Sequence, residues 1–489
     1  MPKKIFEVKF GEWEKGLSYE TTDFVGGIFR TFTNCDPFEG RGAFTPTQAY
    51  TQIGSTPVDT GKTIRVILPV YASGGPGQFY ALGDGYKMYL IDTNDTVTDV
   101  SAQIGTGSSS EVAIDAIKWN NKLLYAMSNE LRQNVIPVSS GSDSRLIATS
   151  PTSNICIGPD RNAYIGISNN VGYVNIAGGT GVAVAASLET NNIVKKLLAD
   201  GRYLLWVADN GILSSGKDQI TLAWWNMASS SFDDIQEFEG GSLRGARKVG
   251  NDILILTNTG IYITRFGAGK PQLIVPFGGS VSTSDVPLFN NFMGIEGVYK
   301  ENFFFWGTHQ SSGNIFAYGN KIGGQTRRLF QMGTSPDTAI TALASNNTRF
   351  LFATSGNTTS GTIKLYNLRD SSGSANTAIV NLAGFSLPKP YTFHSAKVIL
   401  KTGIRQTPAD SVSLQILTSN STKTILASST KNYSSDPNER NLIFDHVAAG
   451  DGSDVRQFDD ISDVKLTTNV AVHSIIIYGD VVDDRGSYG

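Results

Sequence analysis

The sequence predicts an all-β chain: a seven-bladed β-propeller with an extended N-terminal arm and a C-terminal antiparallel β-sandwich. Three observations carry this. Short apolar runs recur seven times along the middle of the chain, spaced 39–50 residues apart. Each is followed by a polar turn and a second apolar run. The last hundred residues then change to short alternating segments separated by polar turns at roughly ten-residue spacing, the pattern of an antiparallel sandwich.

The arm occupies residues 1–50. It carries Trp13, Tyr19, Phe24, Phe29, Phe32, Phe38 and Phe44, interleaved with glycines and the turn-like NCDPFEGRGAFTP. Large aromatics without strand alternation suit a segment laid across a surface, and such side chains are common interface anchors. Trp13, Phe24, Phe29 and Phe38 are the candidate assembly contacts, bridging to a neighbouring subunit. The same arm can instead pack on its own propeller and close the ring.

The propeller is expected over 51–385. Its runs are QFYALG, KLLYAM, NAYIGI, RYLLWV, DILILT, NFFFWG and RFLFAT, marked by Phe79, Leu123, Tyr164, Tyr203, Ile253, Phe303 and Phe350. Four to six residues rich in aromatic and branched side chains suit a buried strand and are too short for a helix. Gly85, Gly172, Gly260, Gly211, Gly313 and Gly361 follow their runs and are read as hairpin turns, where glycine supplies positive φ. Asn129 stands there in the second unit. Upstream segments such as DAIKWNN and IVKKLLADG add a strand to each hairpin, and strand plus hairpin at 40–50 residues is a blade signature. In NNIVKKLLADG the spacing of Ile193, Val194, Leu197 and Leu198 also fits a helix. A β-solenoid or stacked sandwiches compete with the propeller for the whole repeat.

Residues 386–489 form the expected sandwich, from FSLPKPY through SAKVILKT to VHSIIIYGD. Its last 39 residues hold eight Asp against Arg456, Lys465 and Arg485. Asp451, Asp454, Asp459, Asp460 and Asp463 are read as a solvated acidic loop, with Ca²⁺ binding the alternative, since hard cations take several carboxylate oxygens.

Catalytic motifs are sparse. TPVDTGKT at 56–63 lacks the first glycine of a phosphate-binding loop, and GGTG at 178–181 lacks the third glycine of a dinucleotide fingerprint; they read as a hairpin turn and an inter-blade loop. His309, His394, His446 and His473 are scattered, with His473 sharing a strand face with Ile475 and Ile477. The paired Trp224 and Trp225 would suit a sugar-stacking platform, but on an alternating strand they point to opposite faces, so one is expected in the core. No catalytic, cofactor-binding or metal residue is assigned, and the chain is expected not to be an enzyme. A glycan-cleaving propeller, which needs paired carboxylates in a groove, is the competing enzyme reading.

Composition narrows the classes further. Lys+Arg 40 against Asp+Glu 43 leaves a net charge of −3, and 17% of residues are charged. That gives no global field for nucleic acid and no sequence-specific nucleic-acid binding is expected. No apolar run approaches the roughly 18 residues of a membrane span. Two cysteines, Cys35 and Cys156, make no disulfide framework. The N-terminus lacks a signal peptide's apolar core, and the chain is expected to be soluble and made in a cytoplasm.

With arm, seven units and sandwich in order, the chain resembles the tail-hub or nozzle proteins of short-tailed bacteriophages. The resemblance is carried by RGARKVGNDILILTNTGIYITRFGAG and GIEGVYKENFFFWGTHQSSGNIFAYGNKIGG within 244–320, and by NCDPFEGRGAFTP before the first unit. It implies a virion tail component made in the host cytoplasm, in a ring of six copies with other tail proteins, around a channel that retains DNA. An acidic channel would let DNA slide, since like charge removes the gain from counterion release. A receptor- or glycan-binding propeller on a virion or cell surface is the alternative.

Overall fold

The apolar runs fold as strands because neighbouring sheets cover both faces of those whose side chains are described. The computed structural model describes residues 5–11, 29–33, 35–36, 43–46, 51–53, 62–72, 75–182, 186–212, 218–276, 295–299, 302–308, 314–321, 327–334, 339–345, 349–355, 363–368, 377–401, 410–419, 422–432, 440–455 and 457–482. Seven four-stranded sheets follow one another, antiparallel wherever their pairing is recorded. Blade 1 spans residues 64–99, blade 2 113–147, blade 3 155–182, blade 4 193–239, blade 5 243–276 and blade 6 295–334. Blade 7 takes three strands from 339–368 and its fourth, Thr51–Ile53, from the far end of the chain.

The first strand of each sheet is innermost. Ile64–Ala72, Ala113–Trp119, Ile155–Ile157, Ile193–Asp200, Leu243–Val249, Ile295–Tyr299 and Ala339–Ser345 touch in succession, and the last touches the first, closing a ring. The fold is therefore a seven-bladed β-propeller. Blade 7 is completed where Ile53 pairs with Leu365 and Thr51 with Asn367.

All seven predicted runs lie in second strands. In blades 1 to 5 and 7 their side chains form layers between blades, as a sheet that cannot bury its faces alone requires. Phe79 packs toward blade 7 with Leu351 and Ala353. Leu123 packs toward blade 1 with Tyr80 and Leu82, and Ile253 toward blade 4. Tyr164 and Tyr203 are one residue out of this register: they face the following blade, while Ile165 and Leu204 face the preceding one. A one-residue slip reverses the face because the strand period is two. Phe303 lies in the strand Asn302–Thr308.

One rival reading is excluded and one local expectation is corrected. The segment from Ile193 is a strand, and its helix-like spacing comes from a β-bulge: Val194 pairs with Ala208 and Lys196 with Val207, leaving Lys195 as the extra residue. The same bulge recurs at Arg65, Ile114, Arg244 and Thr341 in the inner strands of blades 1, 2, 5 and 7. One inserted residue shifts the buried positions Val194 and Leu197 to i, i+3, which mimics a helix face.

The glycine turns also differ. Gly85 has φ +71 in its turn. Gly172, however, sits inside a strand opposite Ile165, where a Cβ would come within 2.6 Å of the Ile167 side chain. The adjacent turn uses Ser168 at φ +54. Gly211 and Gly260 likewise belong to strands. Gly313 and Gly361 lie outside the described residues.

The chain divides into two compact units, one of residues 50–313 with 335–370 and one of residues 1–49, 314–334 and 371–489. The second unit contains an eight-stranded sheet, and the expected boundary at 386 falls inside its longest strand, Ala378–Leu400. The N-terminal half of that strand pairs with Gln457–Thr468 and Phe29–Thr33. Its C-terminal half pairs with Val472–Val481 and Asn441–Asp445. The changeover falls at the register shift between Ser386 and Tyr391, where Pro388 and Pro390 cannot donate to a ladder. Ile5–Phe10 adds to the edge of Val472–Val481.

Candidate functional site

Blades 1 and 2 enclose a cluster of buried charge. Its base is the strand Glu130–Val135, where alternation puts Glu130, Arg132 and Asn134 on one face. Glu130 Oε1 accepts from the Tyr86 hydroxyl at 2.5 Å and from Arg132 at 2.8 Å. Arg132 Nε donates to Asp143 Oδ2 at 2.8 Å, and the Tyr125 hydroxyl donates to Asp143 Oδ1. The backbone N–H of Gly105 donates to the Tyr125 oxygen at 3.0 Å. Asn134 donates to the Gln103 carbonyl and accepts from Val135 and Ser139 N–H.

Burial, reinforced by hydrogen bonding to Glu130, raises the Tyr86 hydroxyl's pKa above the usual tyrosine value, partly offset by Asn129. Tyr125 is raised by burial and then by Asp143. Burial pulls Arg132 down, but its hydrogen bonds to Glu130 and Asp143 outweigh this and leave it raised. A general acid or base must have its proton-carrying or accepting atom within hydrogen-bond reach of substrate. Here Arg132 clamps both carboxylates and two tyrosines donate to them, so the arrangement locks two blades together.

A second device recurs at the seams. A side-chain oxygen from one blade, or from the segment entering it, accepts a backbone N–H of the next blade's inner strand. Asp84 takes Ala113 at 3.0 Å, Asp115 takes Ile155 at 2.8 Å, Asn154 takes Leu197 at 2.8 Å and Asp209 takes Leu243 at 3.0 Å. The sequence reading missed both devices. The alternation in ELRQN was a visible signal for the first; the second joins residues about 30–40 positions apart and leaves no local pattern.

The residues singled out from sequence are placed as follows. Trp13, Phe24 and Phe38 lie outside the described residues. Phe29 begins a strand paired through Leu382 to the same chain. Trp224 and Trp225 do point to opposite faces, and both are core: one lies between blades 4 and 5, the other between 3 and 4. Their indoles donate to Asp200 and to the Ser229 carbonyl, so neither is a sugar platform.

His394 lies 2.7 Å from Asp480, an ion pair when the imidazole is protonated. His446 packs edge-on to Phe393, and His309 is outside the described residues. The C-terminal carboxylates turn to different partners: Asp451 to Ser453, Asp454 to the amides of Ala449 and Gly450, and Asp460 to Thr418 and Ser419. Hydrogen bonds from Ser453 lower the Asp451 pKa. Among the described residues no group of three His, Cys, Asp or Glu side chains is placed to hold a metal.

GGTG is a turn within blade 3 that enters the strand Thr180–Val182, so it does not connect blades. Of TPVDTGKT only Lys62 and Thr63 are described; Lys62 Nζ donates to the Ser109 carbonyl. Neither cysteine is in a disulfide, and burial pushes the Cys156 thiol up to about 12.

No protein-family model matches the chain, and no curated protein does. Among solved structures it is similar to the WD40 β-propeller domain of Doa1, at 12% identity and TM-score 0.44, covering 66% of this chain and 98% of that one. A streptogramin B lyase matches at 10% identity and TM-score 0.44, covering 66% and 98%. Virginiamycin B lyase from Staphylococcus aureus matches at 8% identity and TM-score 0.44, covering 65% of this chain and 99% of that one.

Proposed function

We propose that the protein is a non-catalytic virion structural component of the tail-hub or nozzle type. It assembles as a homo-oligomeric ring of six with other tail proteins, around a channel that retains DNA. The observation that carries the reading is that the segments before and after the propeller fold together. Ile5–Phe10 pairs with Val472–Val481, and Phe29–Thr33 pairs with Ala378–Leu400. The segments before and after the propeller thus belong to one β-unit, which supports the arm, propeller and C-terminal sheet order on which the resemblance rests. The clamped carboxylates between blades 1 and 2 favour a structural over a catalytic use of that seam.

The test is immunogold labelling of phage particles encoding this chain, with light scattering of the purified protein. Labelling at the tail and a six-copy mass support the reading. Labelling away from the tail, or turnover of a polysaccharide abolished by one Asp or Glu substitution, overturns it.

A receptor- or glycan-binding propeller is the second reading, favoured by one feature. Phe266 is 42% exposed and stacks on Tyr203 with ring centroids 4.6 Å apart, offering the kind of aromatic face that sugars stack on. Binding on a glycan array that is lost in Phe266→Ala would put this reading first.

A further inference from the structure

Charge in the propeller is segregated by radius. The seven inner strands carry seven Lys or Arg against three acids, a balance of +4 in a chain whose total is −3. Five of those cations, Lys195, Lys196, Arg244, Arg247 and Lys248, lie on the adjoining inner strands of blades 4 and 5. Lys248 is held by Asp200 at 2.7 Å near the far end of its strand.

Lys195 and Arg244 are different. Each is the extra residue of its β-bulge, at the same register on touching strands, so they stand at the same end of the ring. Bulges bend a strand and re-aim the inserted side chain. Both side chains are exposed, and among the described residues neither has an ion-pair partner. Lys196 and Arg247 lie on the same two strands and are half-buried. The nearby Asp209 carboxylate is engaged by the Leu243 amide at 3.0 Å.

We propose that Lys195 and Arg244 form a binding site for a small, multiply charged phosphate-bearing anion at one mouth of the propeller's axis. An Arg fork beside a Lys point charge suits clustered phosphate oxygens. The small ligand follows from the charge balance: outside the inner strands the chain is net negative, so a long polyanion meets repulsion wherever it leaves the mouth. The site goes beyond the tail-component reading and does not depend on it.

The experiment is isothermal titration of the isolated full-length chain with sodium tripolyphosphate at low and high ionic strength. The expected result is one site, weakened by salt, with affinity falling about tenfold in Lys195→Ala or Arg244→Ala and lost in the double variant. Lys118→Ala, at the opposite end of an inner strand, should bind as wild type. Thermal melting confirms that each variant is folded; if the double variant is not, Arg244→Gln decides alone. The proposal is overturned if the wild type does not bind, if the double variant binds unchanged, or if Lys118→Ala loses as much. Tighter binding of a single-stranded oligothymidylate than of tripolyphosphate also overturns it, in favour of a nucleic-acid site.

Discussion

Arg349 and Asp95 stand 254 positions apart and form an ion pair that ties the last blade to the first. The same guanidinium donates to the carbonyls of Gly77 at 2.8 Å and Asp92 at 2.7 Å, and lies over the Phe79 ring. The ring thus has two closures: the backbone ladder of Thr51–Ile53 and this side-chain clasp. The side chains are only 9% and 13% exposed, so removing one partner leaves the other charge uncompensated. Arg349→Ala should cost about 3 kcal/mol. A double-mutant cycle with Asp95→Ala, read by denaturant unfolding, should show strong coupling; additive effects would remove the clasp.

The ladder closure rests on three residues, of which Ile53 is 2% exposed. Ile53→Asp buries a carboxylate in the layer between blades 7 and 1 and should cost about 3 kcal/mol or more. Protease digestion should then cut blade 7 first. A variant as protease-resistant as wild type would mean that Arg349 alone holds the ring shut.

Alkaline stability follows from the tyrosines. Tyr86, Tyr125 and Tyr164 all have pKa values raised above the usual tyrosine range, in each case by burial first and by a neighbouring carboxylate next. A raised folded pKa means that the folded state holds its proton more tightly. Stability is therefore fully present below about pH 10 and falls as pH rises above it. Tyr86→Phe should lower stability at neutral pH by about 1–3 kcal/mol, because Glu130 loses a donor, and should flatten the alkaline decline. An unchanged alkaline slope in Tyr86→Phe would rule out its part in the effect.

Asn120 and Asn121 take φ +48 and +60 in the first turn of blade 2, the two left-handed positions of a primed hairpin turn. Asn121→Gly should be neutral or slightly stabilising. Asn121→Val should destabilise by about 1–2 kcal/mol. Equal midpoints for the two variants in urea unfolding would contradict the turn geometry.

Burial of Cys35 and the raised Cys156 thiol predict a native chain inert to thiol reagents. A chromogenic disulfide should titrate two thiols only after denaturation; rapid native labelling would count against this packing.

The runs in blades 1 to 5 and 7 were legible because they have both faces buried, and fully buried strands read as unbroken apolar stretches. Register was not legible for the same reason: with Tyr164, Ile165, Leu204 and Trp206 all apolar, nothing in YIGI or YLLWV says which face looks forward. The bulge at Lys195 made a strand look helical, since one extra residue changes the period locally. Positive φ fell on Asn120, Asn121, Arg161 and Ser168 as well as on glycines, so glycine position was a poor guide to turns. The Tyr86–Glu130–Arg132–Asp143 cluster was half visible, as alternation in ELRQN; Tyr86 comes from the preceding blade and Asp143 from beyond the next turn, so only packed sheets bring them to Glu130 and Arg132.

The borrowed strand Thr51–Ile53 also sets a clock on synthesis. It leaves the ribosome long before its partner Ile363–Leu368 exists, and at roughly 5–20 residues per second the wait is about 15–60 s. The strand Ile5–Phe10 waits longer still, for Val472–Val481. Throughout that interval the nascent chain carries unmated strands at its leading end while its first blades acquire exposed apolar faces. Ribosome pausing, crowding by neighbouring nascent chains and chaperone occupancy therefore all act on the chain before its ring can close.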